Sequence, residues 1–187
     1  MADLRSRHKL AAIFYADVAD YSRLTGQDEL GTHKRVMSAL DFASQSIETG
    51  GGVVLRYAGD AILAEFTSVL AALNAAVAIQ TGLHERIGNE DGDSQVQLRI
   101  GVNLGEVLED RGEIFGDGVN TAARLEAFSR PGGVAVSGQV YEQVHGKIDI
   151  ELTDCGTQSF RTDHPRKPIR DCLTGRCPLV CRLQEPS

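Results

Sequence analysis

The sequence predicts an α+β fold, a ferredoxin-like βαββαβ core followed by C-terminal additions. Three observations carry that reading. An apolar run, two long segments with helical apolar spacing, and a strictly alternating stretch follow one another along the chain. A hairpin signal lies between the two helical segments, which completes the order strand, helix, strand, strand, helix, strand. The length of 187 residues suits one domain, and 42% apolar with 24% charged residues is an ordinary globular composition.

Lys9 to Val18 (KLAAIFYADV) reads as a buried strand that ends in an acid. Asp28 to Thr49 has Leu30, Met37, Leu40 and Ile47 at helical spacing, flanked by Val36 and Ala43. Thr25-Gly-Gln-Asp28 just ahead has the pattern of a capping box, and Gly50-Gly51-Gly52 stops the helix. Val53–Tyr57 and Ala61–Phe66 are strand-like, joined by Ala58-Gly59-Asp60 as a tight turn. Ser68 to Ile87 is a second amphipathic helix, with Leu70, Leu73, Val77, Leu83 and Ile87 in register. After a polar loop, Gly88–Ser94, the stretch Gln95–Leu104 alternates. Val96, Leu98, Ile100, Val102 and Leu104 face one way, and Gln97, Arg99, Gly101 and Asn103 face the other, as in a half-buried strand. Both long helices then belong on one face of the sheet. The additions are a helix from Asp117 or Gly118 to Ser129, closed by Arg130-Pro-Gly-Gly133, a strand Val134–Ser137, a helix Gly138–His145 and a strand Ile148–Leu152.

The formal charge of −7 and a pI near 5.2 argue against a protein that binds the phosphate backbone of nucleic acid. The absence of Trp and 5% aromatic content argue against a base-stacking platform. No apolar run reaches the ~18 residues of a membrane span, so no membrane insertion and a cytoplasmic location are expected. The charge is uneven: residues 1–160 carry 13 basic and 23 acidic side chains, whereas 161–187 carry six and three. Four of the five prolines and three of the four cysteines also fall in that stretch. The division expected is a working domain over 1–160 and an atypical basic, Pro/Cys-rich tail over 161–187, poorly packed.

Several motifs fail. There is no GxxxxGK[ST], and Gly116-x-Gly118 is followed by Thr121 where a dinucleotide fingerprint needs glycine. The five histidines form no HxxxH pair, and Cys172, Cys177 and Cys181 lack a fourth ligand. Two acids stand out. Asp17 closes the first strand, and Asp60 sits in the hairpin turn, so both project at one sheet edge if the hairpin's first strand pairs with the first strand of the chain. Two hard oxygen ligands fit Mg²⁺ or Mn²⁺ carried with a phosphate substrate. The other reading has Asp17 capping the turn at Ala19–Ser22 and Asp60 serving its hairpin. Asn120 and Arg124, four apart near a helix N-terminus, form a plausible phosphate site, or else Arg124 is solvent-exposed with Glu126 nearby.

Phe14-Tyr-Ala-Asp17-Val, Tyr57-Ala-Gly59-Asp60-Ala-Ile-Leu-Ala and Ile114-Phe-Gly-Asp-Gly-Val-Asn120-Thr-Ala-Ala-Arg124-Leu-Glu resemble the signature blocks of class III nucleotidyl cyclases, the adenylate/guanylate cyclase catalytic domains. They occur in the family's order across roughly residues 8–155, and Arg99-Ile-Gly-Val-Asn and Arg130-Pro-Gly-Gly match as well. The resemblance implies a two-metal conversion of ATP to 3′,5′-cyclic AMP and pyrophosphate. It makes Asp17 and Asp60, with the Val18 carbonyl, the ligands of two Mg²⁺ or Mn²⁺ ions. It makes Asn120 the residue that orients the ribose and Arg124 the one that stabilises the transition state. It also implies a head-to-tail homodimer in which one chain supplies the aspartates and the other supplies Asn120, Arg124 and the base-reading residues.

The chain departs from the family at several positions. The adenine-reading Lys is Arg56, and its partner Asp is Glu113, a pair that serves adenine and could also serve guanine. Glu106 stands where many members carry a basic residue, and Asp110–Glu113 is shorter than the usual dimerisation arm. The competing expectations are guanylate cyclase activity, or a nucleotide-binding or dimerisation module without turnover, regulated by or regulating an unidentified partner.

Overall fold

A computed structural model describes residues 7–87, 95–148, 152–154 and 180–182. The Gly88–Ser94 loop, most of the Ile148–Leu152 segment and the tail apart from 180–182 lie outside the described residues. The elements are β1 (Arg7–Val18), α1 (Tyr21–Gln27), α2 (Glu29–Thr49), β2 (Val53–Ala58), β3 (Ala61–Phe66), α3 (Val69–Ile87), β4 (Leu98–Asp110), β5 (Glu113–Phe115), α4 (Asp117–Phe128), β6 (Val134–Val136), α5 (Gly138–Val144), β7 (Leu152–Asp154) and β8 (Val180–Arg182). The sheet order is β2-β3-β1-β4-β6-β8-β7, with β5 paired to β4. Its first four strands have the ferredoxin-like order, so the α+β class holds. Val180–Arg182 lies between β6 and β7 and runs parallel to both.

β1 explains how the layers form. Its even positions Ala12, Phe14, Ala16 and Val18 enter the main core with Ile62, Leu73, Ile79, Leu98, Ile100 and Val102, on the face covered by α2 and α3. Its odd positions Ala11 and Ile13 join Leu63, Val107, Ile114 and Ala122 in a second cluster beneath α4. Period-2 alternation therefore feeds two cores. The strand read as half-buried is buried on both faces from Ile100 to Asn103, where α4 covers the second face, while Gln97 and Arg99 on that face stay partly exposed. Gly101 permits this: a Cβ there would collide with the Ala122 carbonyl, the Glu126 amide and Leu125. Asn103 Nδ2 also donates to the Gly118 carbonyl at 3.0 Å, which ties β4 to the start of α4.

Four local expectations change. The helix read from Asp28 begins at Glu29, with Asp28 as its cap, accepting from the Gly31 amide at 2.9 Å. Thr25 is no cap. It sits inside α1 and donates to the Tyr21 and Ser22 carbonyls. The buried stripe of α2 runs through Thr32, Val36, Ala39, Leu40, Ala43, Ser44 and Ile47, while Leu30 and Met37 face outward. α1 accounts for the rotation, since Thr32 Oγ1 donates to the Leu24 carbonyl and seats α1 on this helix. β4 continues six residues past Leu104 and returns through Arg111-Gly112, both at positive φ, the signature of a two-residue type I′ hairpin.

Candidate functional site

The site grows from the carboxyl end of β1. Asp17 follows Ile13 and Tyr15 on the odd face, so it lies on the α4 side of the sheet. β1 pairs antiparallel with β3, with Ala16 opposite Ile62. The partner is thus the hairpin's second strand, not its first as the sequence suggested. The consequence is the same, because the N-terminal end of β3 adjoins the turn. That turn is Gly59-Asp60, with Gly59 at φ +66°, a backbone conformation that favours glycine.

Asp17 and Asp60 are brought together. Burial raises the Asp17 pKa above its usual value, and the neighbouring Asp60 carboxylate raises it further, both through its charge and through a side-chain hydrogen bond. Asp17 Oδ1 accepts from the Val18 amide at 2.9 Å, one residue short of the Ala19–Ser22 turn that the other reading had it cap. Burial also raises the Tyr15 phenol, and Asp17, Glu126 and Asp60 add to the shift against Arg56.

This donor set fits a divalent cation. Two adjoining carboxylates in a half-buried position repel one another, and a cation between them relieves that repulsion. Among the described residues no group of three His, Cys, Asp or Glu side chains converges, so the remaining ligands would be the Val18 carbonyl, water or substrate oxygens.

Arg56 and Glu113 also meet. Arg56 Nη1 lies 3.2 Å from Glu113 Oε2, joining β2 to β5. The β2–β3 register shifts between Val54 and Arg56, just before this contact. Asn120 and Arg124 share one face of α4, away from its buried residues Gly118, Ala122, Leu125 and Glu126. They lie on the side of the helix turned from the sheet face that holds Asp17. Glu106 is exposed on β4.

Two residues at the site were not singled out for a role. Glu126, read as a neighbour of Arg124, is only 5% exposed and faces the sheet. Its Oε1 lies 3.0 Å from Arg99 Nε, and Arg99 Nη2 lies 3.9 Å from Asp17 Oδ2. The helical period was the available signal, because Glu126 lies four residues after Ala122 on the apolar stripe.

The chain matches the family model for the adenylate and guanylate cyclase catalytic domain over residues 5–169. It is 40% identical over 157 residues to a Rhizobium meliloti (strain 1021) protein named "Putative adenylate cyclase 3", covering 83% of this chain and 27% of that one. It is 26% identical to Mycobacterium bovis Mb2235, an uncharacterized protein, covering 82% of this chain and 42% of that one. The chain thus spans less than half the length of these relatives. Among solved structures, the adenylate/guanylate cyclase/hydrolase from Silicibacter pomeroyi superposes with a TM-score of 0.77 at 37% identity, covering 88% of this chain and 95% of that one. The adenylyl cyclase CyaB from P. aeruginosa shares the fold at TM-score 0.73 and 17% identity, covering 94% and 100%.

Proposed function

Because the chain belongs to the adenylate and guanylate cyclase catalytic domain family, we propose that it converts ATP to 3′,5′-cyclic AMP and pyrophosphate as a homodimer, with the catalytic domain over residues 1–160 and an atypical tail over 161–187 that lends β8 to the sheet. The observation that carries the reading is the juxtaposition of Asp17 and Asp60 at the end of β1.

In this reading Asp17, Asp60 and the Val18 carbonyl hold two Mg²⁺ or Mn²⁺ ions. Such cations, when bound, supply Lewis-acid charge at the ribose 3′-hydroxyl and along the triphosphate. Asp17 and Asp60 fix where that charge sits, at the mouth of the β2–β3 turn. Asn120 orients the ribose, and Arg124 neutralises charge that develops on the α-phosphoryl oxygens as the 3′-oxygen attacks in line. The outward placement of Asn120 and Arg124 supports a dimer in which they serve a nucleotide held by the partner's aspartates. Arg56 donates to adenine N1, and Glu113 accepts from its N6 amino group. The name of the 40% identical relative supports ATP as substrate.

A second reading, guanylate cyclase activity, is favoured by the Arg56–Glu113 pair itself, since Arg56 can donate to guanine O6 and Glu113 can accept from its N1–H. The test is an assay of the purified protein with Mn²⁺ and either ATP or GTP. Cyclic AMP should form from ATP, and Asp60→Asn should abolish it. A confirmed dimer inactive with both triphosphates overturns the cyclase reading, leaving a nucleotide-binding module as the alternative. Predominant cyclic GMP selects the second reading.

No helix among the described residues is long and apolar enough to cross a membrane.

A further inference from the structure

We propose that Glu126 is a positioning residue for the Asp17 carboxylate, acting through Arg99: it draws the Arg99 guanidinium toward α4 and leaves Asp17 Oδ2 available to a divalent cation. The inference rests on the reading of Asp17 as a cation ligand given above.

The register sets the problem. Asp17 and Arg99 are direct partners in the β1–β4 ladder, so their side chains leave the same face of neighbouring strands. An arginine in that position is placed to form a close ion pair with the aspartate. Such a pair would occupy the carboxylate that a cation needs. The structure shows a wider separation, 3.9 Å from Nη2 to Oδ2.

Glu126 explains the gap. It sits on the buried stripe of α4, above Arg99, and approaches Nε to 3.0 Å. Neither Arg99 Nε nor Glu126 Oε1 has a hydrogen-bond partner of acceptable geometry. The contact is therefore close but misaligned, as for a guanidinium drawn between two carboxylates. Gly101, two residues along the same face of β4, brings the helix this near, because its missing Cβ makes room for the Glu126 amide. Asp17 Oδ1 is already engaged by the Val18 amide, so Oδ2 is the oxygen whose availability is at stake. The Arg99 and Asp17 side chains are 29% and 28% exposed, so the pair is only partly withdrawn from water.

Removing the Glu126 charge leaves Arg99 with Asp17 as its nearby anion. Coulomb attraction in a half-buried setting then closes the gap, and the guanidinium competes with the cation. Removing both side-chain charges frees Asp17 again. That sign reversal distinguishes positioning from packing.

The experiment titrates full-length protein with Mn²⁺ alone at pH 8 by calorimetry, with Asp17→Asn to define the Asp17-dependent site and thermal unfolding to check each variant. Glu126→Gln is expected to raise the Mn²⁺ dissociation constant about 10- to 100-fold, the usual penalty for disturbing a group that orients a metal ligand. The double variant Glu126→Gln with Arg99→Gln is expected to return it to within a few-fold of wild type. Should Glu126→Gln not fold, Glu126→Asp, too short to hold Arg99, takes its place with the same expected weakening. Unchanged Mn²⁺ affinity in the single variant, no recovery in the double variant, or no Asp17-dependent binding in wild type each overturns the inference. Wild type without cyclase activity, but with Asp17-dependent binding that weakens and recovers as described, overturns the proposed function and retains the inference.

Discussion

Arg56 and Glu113 meet at 3.2 Å although 57 residues separate them in the chain. β2 and β5 bring the two together, so both halves of the proposed purine-reading pair come from one chain. The pair is 43% and 44% exposed, and an ion pair so open to water contributes at most about 1 kcal/mol to stability.

Glu113→Ala should therefore separate function from folding. Loss of a charged hydrogen-bond partner for the base should lower kcat/KM for ATP roughly 10- to 100-fold, equivalent to about 1.5–3 kcal/mol. The unfolding midpoint should barely move. Steady-state kinetics and a thermal melt of the same preparation check both statements, and a large fall in the midpoint with unchanged kcat/KM would reverse the assignment.

Arg124 makes a different prediction, because the charge on its proposed partner, the α-phosphoryl group, grows as the reaction proceeds. Arg124→Ala should lower kcat by about 10²- to 10³-fold, near 3–4 kcal/mol, with a smaller effect on KM. A variant that raises KM alone would mean that Arg124 only holds the ground-state triphosphate.

Local pattern made parts of this molecule legible. The alternation from Val96 to Val102 marks side chains that all reach the main core, because the period of a strand is a property of neighbouring residues. Pairing partners were harder. That β3 rather than β2 lies against β1 depends on contacts made across the chain, which no local period encodes. α1 was missed because seven residues (YSRLTGQ) are too few to display a helical period. The extension of β4 to Asp110 was missed because LGEVLED mixes a glycine with three acids, and β5 and the α4 layer supply the pairing and burial that make it a strand. Glu126 enters the sequence reading only as a neighbour of an exposed Arg124, although residues two apart on a helix face different ways.

Gly101 tests the layer that carries Glu126. A methyl group there must displace the backbone of α4 at Ala122 and Glu126, and backbone yields less readily than the end of a side chain. Gly101→Ala should destabilise the fold by about 1–3 kcal/mol, the usual range for overpacking. Chemical denaturation reads the loss. A neutral result would mean that α4 can lift from the sheet at little cost.

The buried carboxylate predicts how stability varies with pH. Burial pushes the Glu126 pKa up to about 7 from its ordinary 4.5, opposed by the charge of Arg99 and reinforced by Asp17 and Asp60, with the Tyr15 phenol also nearby. The folded state thus holds this proton more tightly than the unfolded chain does. The stabilisation is fully present below pH 4.5, declines as the pH rises toward 7, and is gone above it. At about 1.4 kcal/mol for each tenfold difference in proton affinity, the decline amounts to roughly 3 kcal/mol. The raised pKa of Asp17 acts in the same direction. The lowered pKa of Glu109, held by Lys9 and Arg7, acts oppositely and only at more acid pH. Glu126→Gln carries no titrating proton, so its stability relative to wild type should rise between pH 5 and 8. Denaturant titrations of metal-free wild type and variant at pH 5, 6, 7 and 8 measure that difference directly. A gap that stays constant across the series would mean that Glu126 is already ionised at pH 5, with Arg99 compensating its charge in full.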